Sequence, residues 1–177
     1  MYGVGRLRTT GGSRQTGVEN MRKRTKTILT KGIIGSILGG DVALAIENIN
    51  NLDSDDRSPL FYCLKLTDSN MLTKLIASGA NLNLQDKQGW TPLHHAIQMH
   101  NFSAVKAMID NGANIEIRDA YGNTPLWRAV FASEGRKDII QLLLLNGADQ
   151  RAKNNTNISP EDLAKNIANY ELTGLFT

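Results

Sequence analysis

Short apolar stretches with helical spacing recur along the chain, separated by polar turns and loops. The clearest set has its members 33 residues apart: Leu72 with Val105, Leu75 with Met108, and Ile76 with Ile109. Apolar residues three and four positions apart lie on one face of a helix. A shorter apolar stretch that begins at a proline precedes each of these segments. The pattern predicts an all-α chain built from helix pairs joined by polar turns.

Two further markers share this period. The first is a proline that follows serine or threonine and precedes leucine, at Pro59, Pro92 and Pro125, which are 33 residues apart. The second is Gly-Ala, which begins at Gly79, Gly112 and Gly147, with spacings of 33 and then 35 residues. Independent markers with one period are typical of a repeat array, in which each unit is stable only against its neighbours.

Each unit carries signals for where its helices start and end. The hydroxyl residue before the proline (Ser58, Thr91 or Thr124) is predicted to be an N-cap whose side chain accepts a backbone N–H. The proline is then the first helical residue, where its missing N–H is harmless. Gly112 is predicted to end a second helix in the left-handed conformation. Two residues inserted near Ser133 lengthen one turn, and both a binding-face feature and simple drift are open interpretations.

The residues around these prolines resemble the ankyrin repeat. Its motif, Asp-x-x-Gly-x-Thr-Pro-Leu-His-x-Ala, is nearly complete between Asp86 and Ala96. It recurs from Asp119, with Trp127 in the His position, and a weaker copy starts at Asp53. Because motif and period agree, the resemblance is specific.

The resemblance covers roughly residues 33–177 and implies an all-α solenoid of stacked helix-turn-helix units with hairpin-like loops. About three recognisable repeats lie between N- and C-terminal capping helix pairs. The predicted boundaries are a leader at 1–31 and a repeat domain at 32–177, divided into a cap (33–52), repeats (53–85, 86–118 and 119–153) and a C-terminal cap (154–177).

Charge is unevenly distributed along the chain. The whole sequence carries +3, but residues 1–31 contain eight basic residues and one acidic residue, which leaves the rest at −4. We predict that the leader is disordered, because it has almost nothing apolar to bury. A mildly acidic repeat domain argues against nucleic-acid binding by the repeats, which requires clustered Lys and Arg.

The location of the protein has two interpretations. We predict a cytoplasmic protein without a transmembrane segment, because no apolar run approaches the roughly 18 residues that span a bilayer. Cys63 is the only cysteine, so no internal disulfide can form. The alternative is export to the periplasm, because the segment from Met21 to Ala45 loosely imitates a secretory signal, with a basic start, an apolar middle and an Ala-x-Ala end.

No motif in the chain indicates catalysis, a metal site or a cofactor. His95 and His100 are five residues apart, whereas two ligands on one helix face are usually four apart. Cys63 lies beside apolar residues and is predicted to be a buried thiol. The resemblance implies that His94 hydrogen-bonds within and between neighbouring loops. We therefore predict no enzymatic activity, no metal and no cofactor.

The resemblance also implies where a partner protein binds. In ankyrin repeats the loop tips and first helices line a concave face, and residues outside the structural motif meet the partner. Carried onto this sequence, these positions are Asp55, Arg57, Lys87, Gln88, Trp90, Gln98, Met99, Arg118, Tyr121, Asn123, Trp127 and Phe131. Trp, Tyr and Arg are favoured interface anchors, so Trp90 and Tyr121 are predicted to be important contacts.

The last part of the chain, residues 122–131 and 159–170, looks like short stand-alone bacterial ankyrin proteins. Members of that group often accompany secreted toxins as immunity proteins. The most specific hypothesis is therefore a bacterial immunity protein that binds and neutralises a cognate toxin. The alternative is a regulatory adaptor or host-directed effector that binds another cellular protein.

Overall fold

The structure is a computed structural model that describes residues 34–35, 39, 42–65, 69–167 and 172–176. The predicted leader and most of the first helix of the N-terminal cap lie outside the described residues. The described residues form eight α-helices and one 3₁₀-helix. They are α1 (Val42–Glu47), α2 (Pro59–Cys63), α3 (Ser69–Ala77), α4 (Pro92–Gln98), α5 (Phe102–Asp110), α6 (Pro125–Phe131), α7 (Asp138–Leu145) and α8 (Pro160–Asn166), followed by the 3₁₀-helix Thr173–Leu175.

The helices stack in two rows. The first helices of successive units, α2, α4, α6 and α8, contact one another in chain order. The second helices, α1, α3, α5 and α7, do the same. The first helices α2, α4 and α6 each also contact the second helix of their own unit. No strand occurs among the described residues. The predicted all-α solenoid is confirmed.

The apolar core runs along the stack instead of closing on itself. The leucine after each motif proline and one residue of each second helix are 0% exposed: Leu60, Leu93 and Leu126, with Leu75, Met108 and Leu143. All six belong to one cluster of buried side chains. Because full burial of such a side chain stabilises by roughly 1.5–3 kcal/mol, each unit depends on its neighbours for much of its stability.

The first helices begin at the predicted residues, but one predicted N-cap bond is absent. The hydroxyls of Thr91, Thr124 and Ser159 each accept the backbone N–H three residues later. Ser58 has the extended backbone of an N-cap, yet its side chain caps nothing. The N–H of Phe61 bonds at 3.1 Å to the carbonyl oxygen of Ser58 instead. The prediction for the Ser58 hydroxyl was therefore wrong, because the Phe61 N–H that it would accept is already bonded to the Ser58 carbonyl in a tight backbone turn.

The third unit has the longer turn expected from its two extra residues. Residues 99–101 separate α4 from α5, whereas residues 132–137 separate α6 from α7. Glu134 and Gly135 in this turn have φ values of 48° and 85°, and the Arg136 N–H closes it on the Ser133 carbonyl at 2.8 Å. A role for this turn in binding stays a prediction.

Candidate protein-interaction surface

An acidic side chain organises the loop that precedes each first helix. Oδ1 of Asp86 accepts the backbone N–H groups of Gln88 and Trp90, each at 2.9 Å. The same pair of bonds is made by Asp53 and Asp119 and, with an amide oxygen, by Asn154. Such side-chain bonds to the backbone two and four residues on fix the conformation of a turn. Every loop therefore has the same shape.

The second oxygen of each aspartate contacts a side chain on the first helix, nine residues later. Oδ2 of Asp86 is 2.9 Å from Nε2 of His95. The equivalent contacts join Asp119 to Nη2 of Arg128 at 3.0 Å and Asp53 to the hydroxyl of Tyr62. Since each donor is the fourth residue of its helix, each of these three loops is held against its own first helix. We call these loops together with the exposed sides of the first helices the inner face.

These contacts set the protonation states along the inner face. Burial alone raises the pKa of Asp86, but hydrogen bonds from His95 and from loop N–H groups outweigh it, so the pKa lies below its usual value. The pKa of Asp119 is lowered through the same balance. Burial lowers the pKa of His95, and burial with the hydrogen bond to Asp53 raises the pKa of Tyr62 to about 12. At neutral pH, the two aspartates are charged and the imidazole and phenol are neutral.

Backbone hydrogen bonds join successive loops. The N–H of Ala120 donates to the carbonyl of Gln88 at 3.0 Å, and the N–H of Asn155 donates to that of Tyr121 at 3.0 Å. Gly89 lies at the first of these junctions with φ +75°, and a Cβ there would be 2.7 Å from the Ala120 nitrogen. Only glycine allows the two loops to approach so closely.

At two junctions a side chain also crosses from one loop to the next. Nε2 of Gln85 donates to the carbonyls of Gly89 at 2.8 Å and Arg118 at 2.9 Å. Arg118, 33 residues later, donates in the same way to the carbonyls of Gly122 and Lys153. The Arg118 guanidinium therefore joins two loops. Because both of its partners are neutral carbonyl groups, its positive charge stays uncompensated.

Three aromatic rings surround the guanidinium of Arg128. Its central carbon lies 4.4 Å from the ring centroid of Trp90, 5.9 Å from that of Trp127 and 5.7 Å from that of Phe131. Trp127 and Phe131 stack at 5.4 Å with an interplanar angle of 14°. We call these four residues the aromatic cluster. Phe131 is 57% exposed, so the cluster presents an apolar surface supported by cation–π contacts.

Comparison with known proteins agrees with this geometry. A family model described as ankyrin repeats (3 copies) matches residues 60–154, which is more than half of the chain. The chain belongs to the ankyrin repeat family. The family is a non-catalytic module for protein–protein interaction. No curated protein sequence matches the chain.

The histidine of the ankyrin motif, His94, is fully buried and caps its own helix. Its Nδ1 accepts the Thr91 N–H at 3.2 Å and lies 2.9 Å from the Thr91 hydroxyl. Burial lowers the pKa of His94 to about 4, against the opposing effect of the Asn123 backbone. The predicted bond within the loop is thus present. Toward the next repeat the ring lies near the Asn123 backbone, but its Nε2 makes no hydrogen bond of ordinary geometry with the described residues.

The ankyrin stack separates the predicted contact residues by exposure. Eight are exposed: Asp55, Lys87, Gln88, Gln98, Met99, Arg118, Tyr121 and Phe131. Arg57, Trp90 and Trp127 are half-buried. Asn123 is only 4% exposed, and its amide donates to Asp119 at 3.1 Å and accepts from Asn154 at 2.8 Å. A partner cannot reach the Asn123 side chain, which instead joins two ankyrin loops.

The two half-buried residues nearest the N-terminal end both make contacts beyond their own loops. Nε of Arg57 lies 3.6 Å from Oδ2 of Asp86, beside a cleft of about 110 Å³ that Lys65 also lines. Trp90 packs its ring edge-on against His95, with centroids 5.0 Å apart. Trp90 is therefore a packing residue as well as a candidate contact.

Sequence reasoning missed the three donors Tyr62, His95 and Arg128, which connect the ankyrin loops to their helices. The signal was present, because each lies nine residues after the loop aspartate. Phenol, imidazole and guanidinium share only the capacity to donate a hydrogen bond, so the three positions did not look equivalent.

The described residues contain no arrangement suited to metal binding, since no group of three or more His, Cys, Asp or Glu side chains is placed to hold an ion. Cys63 is 2% exposed, and burial raises the pKa of its thiol to about 12. Such a thiol stays protonated and unreactive. Among the helices of the described residues, none is both long and apolar enough to cross a membrane.

Proposed function

We propose that this ankyrin protein is a bacterial immunity protein that binds a cognate secreted toxin through its inner face. The family's role in protein–protein interaction supports the first half of the proposal. The resemblance of residues 122–131 and 159–170 to short bacterial ankyrin proteins supports the second half.

The observation that carries the choice of the inner face is its exposed apolar side chains in repeats 2 and 3. Met99 is 45% exposed, Tyr121 is 69% exposed and Phe131 is 57% exposed. Aromatic residues and methionine are enriched in protein interfaces relative to the rest of the surface. A protein seated here would cover roughly 800 Å² of this chain, the usual size of a specific interface.

Neutralisation would follow from steric occlusion. The inner face offers a rigid surface, because each loop is fixed by its aspartate or asparagine and by the next loop. A rigid binder loses little conformational entropy on association. A toxin whose active-site rim docks on this surface would be unable to admit its own substrate.

The test is to mix the purified protein with the product of the adjacent gene and to co-express the two. We expect a complex on size-exclusion chromatography at micromolar concentration, and restored growth of cells that express the neighbouring protein. Phe131→Ala should weaken both effects, whereas Leu145→Ala on the second-helix side should not, although Leu145 is 86% exposed.

Absence of a complex at micromolar concentration would contradict the immunity role. Specific binding to a different cellular protein, with no toxic neighbour, would support the alternative of a regulatory adaptor or host-directed effector.

A further inference from the structure

We infer that the partner presents an apolar side chain flanked by carboxylates, and that it docks on the inner face of repeats 2 and 3 and the following loop. The inference rests on the proposed protein-binding function and adds the chemistry of the partner. It follows from three successive loops on which the basic side chains are exposed and the acidic side chains are buried.

The exposed charges of these loops are all positive. The loops are residues 84–90, 117–123 and 152–158, and their exposed charged residues are Lys87, Arg118 and Lys153. Their acidic residues are Asp86 and Asp119, and each is 5% exposed. A partner approaching the loop tips therefore meets three cations and no accessible carboxylate.

No ion pair within the described residues neutralises these cations. Hydrogen bonds from Ser159 lower the pKa of Asp162, and the charge of Lys153 lowers it further, but the two side chains form no ion pair. Asp119 is occupied by Arg128 at 3.0 Å, and Asp86 by its loop N–H groups and His95. Among the described residues, the side chains of Lys87 and Lys153 have no ion-pair or hydrogen-bond partner. Arg118 donates only to neutral carbonyls. All three positive charges are thus available to an external carboxylate.

Arg128 is not one of these cations. Its side chain is 11% exposed and already paired with Asp119, and three rings surround it. Its contribution is to hold the aromatic cluster, so that Phe131 lies on a fixed platform formed by Trp127. That platform suits an aliphatic or aromatic side chain, because apolar burial against a rigid surface gives affinity without ordering cost.

Repeat 1 limits the area on which the acidic part of the partner can dock. Its loop carries Asp55, which is exposed, where repeat 2 carries Gln88. Like charges facing each other across an interface disfavour association. The carboxylates of the partner should therefore lie over repeats 2 and 3 and the loop 152–158, and not over repeat 1. This gives the complex an orientation along the stack.

A nucleic acid fits these observations less well than an acidic protein. Three cations on separate loops neutralise few phosphates, and large apolar side chains, Tyr121 and Phe131, are exposed between them. An apolar centre with a charged rim is the anatomy of a protein interface.

The experiment is selection of random twelve-residue peptides displayed on phage against the full chain, followed by affinity measurement with the selected synthetic peptides. We expect enrichment of Asp and Glu around a Leu, Phe or Trp. Phe131→Ala should weaken binding by at least about tenfold, the effect of losing an interface anchor. The pair Lys87→Glu and Lys153→Glu should weaken it about tenfold at low salt and much less at 0.5 M salt, because salt screens exposed charges.

Matched controls lie on the second-helix side. Leu145→Ala removes an exposed apolar side chain, and Lys74→Glu reverses an exposed charge on α3. Both should leave affinity within about twofold, as residues outside the interface do. Unfolding curves by circular dichroism check that every variant is folded. Selection of basic or uncharged peptides, no enrichment at all, or equal binding by Phe131→Ala would overturn the inference. If a toxin complex forms but its affinity is unchanged by these variants, only the inference is refuted. If no toxin complex forms, the immunity role is refuted and the peptide result still stands.

Discussion

The close approach of successive ankyrin loops can be tested by replacing two glycines, of which only one lies against the backbone of the next loop. Gly89 has φ +75° and Gly112 has φ +84°, so both are in the left-handed region. A Cβ at Gly112 would meet nothing within 4 Å, whereas a Cβ at Gly89 would lie 2.7 Å from the backbone nitrogen of Ala120. Alanine at the two sites therefore separates backbone strain from inter-repeat contact.

The magnitudes follow from this difference. Left-handed alanine costs about 1–2 kcal/mol of unfolding free energy at either site. At Gly89, overpacking against backbone adds roughly 1–3 kcal/mol, and the Ala120–Gln88 hydrogen bond, about 1 kcal/mol, is strained or broken. We expect Gly112→Ala to lose about 1–2 kcal/mol and Gly89→Ala about 2–6 kcal/mol.

The assay is urea unfolding monitored by far-ultraviolet circular dichroism. With a slope of roughly 1–3 kcal/mol per molar urea, Gly89→Ala should shift the midpoint further than Gly112→Ala by about 1 M. Gly122→Ala provides a replicate, because its Cβ would be 2.9 Å from the Asn155 nitrogen of the next loop. Equal losses at Gly89 and Gly112 would refute the close stacking of the loops.

Three further predictions concern stability and binding. Asp119→Ala leaves Arg128 buried without its carboxylate, so the unfolding free energy should fall by about 3–5 kcal/mol. The control Asp110→Ala breaks the exposed pair with Lys106 and should cost less than about 1 kcal/mol. Equal losses in urea titrations would contradict the role of the loop aspartate. The pKa of His94 is about 4 in the folded chain and 6.5 in the unfolded chain, so the unfolded chain binds more protons between these pH values. The stability should therefore be complete above pH 6.5 and fall by on the order of 3 kcal/mol as the pH drops to 4. Urea midpoints at pH 7.5 and 4.5 measure this loss, and a His94→Gln variant with the same pH dependence of stability would refute its assignment to His94. Tyr121→Ala should change unfolding free energy by less than about 0.5 kcal/mol while weakening partner binding, whereas Trp90→Ala should lose about 2 kcal/mol because its ring packs on His95 and Arg128. A binding titration in which Tyr121→Ala matches the wild type would remove that residue from the interface.

The period of the chain made the architecture predictable. Pro92 and Gly112 mark a helix start and a helix end through constraints on φ that hold in any protein, so these positions follow from local chemistry. The repeats stack because Leu93 and Met108 can be buried only against neighbouring units. None of this required knowledge of the long-range contacts.

The exposure of individual side chains was less predictable, because it depends on what the next repeat contributes. Asn123 occupies a loop-tip position like Trp90, yet it is buried by its bonds to Asp119 and Asn154. The arrangement of Arg128 between Trp90 and Phe131 brings together residues from two repeats. Such pairings depend on the separation between the units, which the period alone does not specify.

Binding by the inner face is tested most directly by hydrogen–deuterium exchange of the chain, free and in complex with the product of the adjacent gene. We predict slower exchange on complex formation in residues 84–90 and 117–131, with little change in α5 and α7. Protection confined to the second helices, with unchanged exchange in those two segments, would contradict it.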